Sequence, residues 1–195
     1  MVEQQQSLHD AARAGDLDAI RLALAADPDA VNKRDRHSRT PLHLAAWAGH
    51  ANAVKLLCEA KSPVNAAAMD DMSALHFACQ KGHLQAVKEL LGGGASINSH
   101  SRKGLTPLHC AVQGNHKDLA TYLVRRGSNL SAKNKAGKTP GDLASSELRE
   151  AIEGESLALK ARKEAKAEER AAKVQKTAKV SLTHLEQEDH VEQED

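Results

Sequence analysis

Apolar residues in this chain come in short runs, neither alternating nor long enough to span a bilayer. Leu42, Leu44, Ala45 and Ala46 are followed, after a polar break at Gly49-His50, by Ala53, Val54, Leu56, Leu57 and Cys58. The first run is short and rich in alanine. The second has the spacing of one buried helical stripe, and it returns as Ala86, Val87, Leu90 and Leu91 and again as Leu119, Ala120, Leu123 and Val124. The pattern predicts pairs of short helices joined by tight turns, the small residues letting neighbouring pairs approach closely.

The pairs recur at a fixed step. Thr40-Pro41-Leu42-His43 returns as Ser73-Ala74-Leu75-His76, as Thr106-Pro107-Leu108-His109 and, worn, as Thr139-Pro140-Gly141-Asp142, each start 33 residues after the last. Gly49-His50 recurs as Gly82-His83 and Asn115-His116, while Val31-Asn32, Val64-Asn65 and Ile97-Asn98 keep the same period. Leu8 to Asp16 aligns with Leu42 to His50 at an offset of 34, an extra residue falling near Asp27-Pro28-Asp29. Each landmark has a physical reading. Thr40 caps a helix, Pro41 occupies a first-turn position where no N–H is needed, and His43 reaches back toward the cap as Glu does in a capping box. Gly49 supplies a left-handed turn, with Asn115 the residue that best replaces it. Gly94 and Gly127 end the second helices, where the first full repeat has Lys61.

This motif and period resemble the ankyrin repeat over about residues 7 to 153. The resemblance implies an all-α repeat solenoid, a stack of helix–turn–helix units with β-hairpin-type loops. Residues 7–39 would form an N-terminal capping unit, 40–72, 73–105 and 106–138 full repeats, and 139–155 a C-terminal cap. It also implies a non-enzymatic adaptor or scaffold, monomeric, that binds another protein. Members of that family contact partners with hairpin tips and the exposed edge of the first helices. On this chain those tips are Arg36, His37 and Arg39; Met69, Asp70 and Met72; and Arg102, Lys103 and Leu105. The helix positions are Trp47, Gln80, Lys81 and Gln113. Trp47, the chain's single Trp, falls where the pattern needs no core residue, and Trp, Arg and Met are enriched at interfaces.

Composition narrows the alternatives. One Trp, one Tyr and one Phe in a chain that is 41% hydrophobic leave a core of Ala, Leu and Val, against a β-sandwich or barrel. A net charge of +1 gives no global field toward nucleic acid or membrane. Three cysteines without a C-x-x-C spacing predict a reducing compartment, cytoplasmic or also nuclear. Of the eleven histidines, His43, His76 and His109 lie 33 apart, as do His50, His83 and His116, one per repeat at each landmark, a structural ladder and not a converging metal site. Gly92-Gly93-Gly94 lacks the Lys-Ser/Thr sequel of a phosphate loop. No catalytic residue, metal or cofactor is predicted.

From Ser156 the period is lost. Residues 160–179 hold eight basic and three acidic side chains among alanines, predicting a charged, solvated helix over 156–185. That segment carries the alternative function, binding nucleic acid or another acidic surface. Residues 186–195, with six acids and no Lys or Arg, predict a disordered tail.

Overall fold

Thr40, Ser73, Thr106 and Thr139 each open a helix through a reciprocal cap. The Thr40 N–H donates to His43 Nδ1 at 3.1 Å, Ser73 to His76 at 3.2 Å, and Thr106 to His109 at 3.1 Å. In the worn copy Asp142 Oδ2 accepts from the Thr139 N–H at 2.8 Å, so a carboxylate replaces the imidazole without loss of the cap. A left-handed residue follows each of the first helices Leu8–Ala14, Pro41–Ala48, Ala74–Lys81 and Pro107–Gln113 and turns the chain into the second: Gly15, Gly49, Gly82 and Asn115, with φ of 74°, 82°, 77° and 55°.

The computed structural model describes residues 7–188, with side chains through Ala171. Helices α1 (Leu8–Ala14) and α2 (Leu17–Ala26) form the first pair, α3 (Pro41–Ala48) and α4 (Ala51–Glu59) the second, and α5 (Ala74–Lys81) and α6 (Leu84–Gly92) the third. Then come α7 (Pro107–Gln113) with α8 (Lys117–Arg125), a four-residue α9 (Pro140–Leu143), and α10 (Ser146–Glu188). The first helices make one continuous row, α1 on α3, α3 on α5, α5 on α7 and α7 on α9, while α2 packs on α4 and α4 on α6. Small side chains allow this. Ala45, Ala46, Ala78, Cys79 and Ala111 are fully buried, and Leu42, Leu75 and Leu108 fill the space between rows. Leu148 and Ile152, in the first turns of α10, close the end of the same core.

The chain divides after Glu153 into two compact units. In the second, every side chain from Lys160 to Ala171 is exposed, consistent with strong helix formers and no apolar stripe. Helix α10 runs through Glu188 and so takes in the first three residues of the stretch read as a disordered tail; residues 189–195 lie outside the described residues. Among the described residues, no helix is long and apolar enough to cross a membrane.

Two departures from the repeat consensus show local cost. Lys61 has φ 60° at the position held by Gly94 (89°) and Gly127 (97°). Lys61→Gly is therefore expected to stabilise the protein by up to about 1 kcal/mol; urea melts of the two proteins decide it, and a destabilised glycine variant contradicts it. One residue on, the hydroxyls of Ser62 and Ser128 are buried without a hydrogen-bond partner, whereas the equivalent residue of the intervening repeat is Ala95. Removing an unsatisfied buried hydroxyl relieves its desolvation cost. Ser62→Ala and Ser128→Ala are expected to raise stability by about 1 kcal/mol each, and a loss in the same melts would show that each hydroxyl is satisfied.

Candidate functional site

Four tips link successive helix pairs, and each closes as a hairpin does. Asp35 N–H donates to the Arg39 carbonyl, Ala68 to Met72, Ser101 to Leu105 and Asn134 to Lys138, at 2.8–2.9 Å. Neighbouring tips are also bonded. The carbonyls of His37, Asp70 and Lys103 accept from the N–H groups of Met69, Arg102 and Lys135 at 3.2, 2.7 and 3.0 Å. The tips thus form a ladder with one bond per repeat, although no strand forms among the described residues.

Side chains brace three of the four. Asp35 Oδ1 accepts from the N–H groups of His37 and Arg39, Asn134 Oδ1 from Ala136 and Lys138, and Ser101 Oγ from Leu105. Burial opposes ionisation of Asp35, but the Arg39 guanidinium and these N–H groups outweigh it and hold the carboxyl at about 2. The second tip has Ala68 at the bracing position. It is also the only one of the four with two successive left-handed residues, Asp70 (φ 61°) and Asp71 (φ 56°), neither of them glycine.

The histidines tie repeats together. Nε2–H of His43 donates to the Ala66 carbonyl, that of His76 to Leu105 and that of His109 to Lys138, at 2.9–3.1 Å. Because Nδ1 of each accepts from its cap N–H, the ring is the neutral Nε2–H tautomer. Burial lowers the His43 pKa to about 4 and lowers those of His76 and His109 as well. A second set, His50, His83 and His116, donates to the carbonyls of Arg13, Trp47 and Gln80 in the preceding repeat at 3.1–3.2 Å. On the far side Asn65 and Asn98 bridge to the next loop in the same manner. No group of three or more potential metal ligands exists among the described residues. Burial raises the thiols of Cys79 and Cys110, the latter to about 12. Cys58, read from its core-leucine position as buried, is only half-buried, and burial raises its thiol to about 11.

Tips and first helices together enclose two open grooves. The first has an apolar floor of Ala68, Met69, Met72, Phe77 and Leu105, and its rim includes His37, Arg39, Asp70, Gln80 and Lys103. The second shares Gln80, Lys103 and Leu105 with it and adds Arg102, Gln113 and the fourth tip, Asn134, Lys135 and Ala136. Ten of the thirteen surface residues expected from the sequence line one groove or both. Arg36, Trp47 and Lys81 do not. Trp47 is 41% exposed, and Lys81 Nζ lies 5.2 Å from its ring centroid. Arg39 is not free, since Asp35 holds its guanidinium at 2.7 and 2.8 Å. Phe77 and the fourth tip were missed. The 33-residue step from Arg102 and Lys103 leads to Lys135 and Ala136, a signal obscured by reading the worn Thr-Pro-Gly-Asp copy as a cap alone.

A family sequence model described as ankyrin repeats (3 copies) matches residues 3–68 and 62–134, more than half of the chain. No curated protein matches it.

Proposed function

The chain belongs to the ankyrin-repeat family, whose arrays are in general protein-interaction modules, and on that premise we propose that it is a non-enzymatic adaptor. The partner sits along the tips and first helices. One observation carries this reading: the two grooves are contiguous, the first has an apolar floor, and several of the side chains lining them are not used by the fold. The side chains of Gln80, Gln113 and Lys103 make no hydrogen bond or ion pair among the described residues, and Met69 is 55% exposed. Groups left unpartnered by the scaffold are the ones available to a ligand. Trp47 stands beside the grooves as a further contact, of the type that dominates interface energetics. The unpaired thiols support a reducing, intracellular setting.

Affinity purification with the full-length protein tests this. Met69→Asp with Gln80→Ala alters only exposed positions and is expected to abolish partner retention while circular dichroism stays unchanged. Lys163, Lys166 and Arg170 changed to Gln are expected to leave retention intact. The opposite result, together with a steep salt dependence, would move the function to the basic segment.

A further inference from the structure

We propose that the occupant of the two grooves is an extended acidic peptide segment with one large apolar side chain about three residues from its carboxylates. This rests on the grooves being the binding site and adds the chemistry they select. Of the residues lining the second groove, Arg102, Lys103 and Lys135 are basic, Gln80, Gln113 and Asn134 are amides, and none is acidic. Two carboxylates, Asp70 and Asp71, already face Arg102 at 3.3 and 3.9 Å. Lys103 and Lys135 make no ion pair among the described residues. The fourth tip also carries Lys138, while Lys133 lies within electrostatic reach of Asp142. Unneutralised positive charge beside a groove favours a carboxylate-bearing ligand and disfavours a basic one.

The first groove asks for something different. Met69, Met72, Phe77 and Leu105 make a floor that rewards burial of a Leu, Met or Phe side chain, and methionine-rich surfaces adapt to varied shapes. The two demands lie one repeat apart. Stacked helices pack about 8–10 Å apart and an extended chain advances about 3.3 Å per residue, so anchor and carboxylate are separated by about three residues. Gln80 and Gln113 each carry a donor and an acceptor, matching the N–H and C=O of an extended backbone passing over them. A nucleic acid fits less well, because the grooves present no exposed aromatic face for base stacking; Phe77 is half-buried and Trp47 lies outside both.

The test is selection of a random-peptide display library on the full-length protein, followed by fluorescence polarisation with the enriched peptides. The expected sequences carry Leu, Met or Phe with Asp or Glu three or four positions away. Changing those acids to Gln should weaken binding by about tenfold or more. Lys103→Glu with Lys135→Glu, both at exposed positions, should invert the preference toward Lys- and Arg-bearing peptides. Neutral or basic enriched peptides that are nevertheless lost on Met69→Asp with Gln80→Ala would overturn the acidic chemistry and leave the grooves as the site. Peptides indifferent to that variant, or displaced by a single-stranded oligonucleotide that binds more tightly than they do, would overturn both.

Discussion

Gly82→Ala is expected to destabilise the repeat array by about 2–4 kcal/mol, more than any surface substitution in the molecule. Two costs combine. Gly82 has φ 77°, a left-handed conformation that costs an L side chain about 1–2 kcal/mol. In addition, a Cβ there would lie 2.5 Å from His116 Nδ1 and 2.8 Å from its Cγ. The ring cannot easily yield, since its Nε2–H donates to the Gln80 carbonyl at 3.2 Å. Gly15 and Gly49 are in the same position beneath His50 and His83. The third repeat is the exception that identifies the cause. It has Asn115 at the equivalent place, and the step of 33 beyond His116 leads to Arg149, so no imidazole lies over it; Ser145 Oγ donates to the Asn115 side chain at 3.5 Å instead. Gly82→Asn should therefore cost nearly as much as Gly82→Ala, although Asn tolerates the left-handed backbone. Asn115→Gly should be close to neutral. Urea denaturation of the three variants checks this, and an innocuous Gly82→Asn would show that the φ angle alone demands glycine.

The second large effect is loss of stability in weak acid. Folded His43 titrates at about 4 because it is buried, against about 6.5 for an exposed histidine. Between those values the unfolded chain binds a proton that the folded chain does not, so unfolding free energy falls as pH falls. The contribution is complete above about pH 6.5 and is lost progressively toward pH 4. Protonated Nδ1 would also oppose the Thr40 N–H that it now accepts from. His43 alone is expected to remove about 2 kcal/mol by about pH 5 and about 3 kcal/mol in full. His76 and His109 shift in the same direction. Carboxylates hardly titrate above about pH 5, so urea melts between pH 7 and 5 isolate the histidines. A flat stability profile across that range would mean that they protonate in the folded state.

Much of the architecture is legible in the sequence because its signals are local and repeated. The cap chemistry of Thr40, Ser73 and Thr106, the left-handed turns at Gly49, Gly82 and Asn115, and the strained Lys61 all follow from residue types at a fixed step. What stayed hidden depends on contacts between repeats. Nothing in the sequence says that Gly82 accommodates the ring of His116, or that Asp35 ties down Arg39. The site was partly readable for the same reason. The period finds tip residues, but whether a tip residue faces a groove depends on how repeats stack, which places Met69, Gln80 and Lys103 along the grooves and leaves Trp47 and Arg36 outside them. Phe77 was overlooked because the equivalent residue is Leu44 in one repeat and Cys110 in another, which reads as core rather than as groove floor.

Site-specific photo-crosslinking tests the central claim most directly. A photoreactive amino acid at position 80, an exposed residue shared by both grooves, is compared with the same group at exposed Lys88 on α6 and at exposed Lys163 in the basic segment. The account predicts that the captured protein partner crosslinks from position 80 and not from 88 or 163. Crosslinking from 88 or 163 with none from 80 would contradict it.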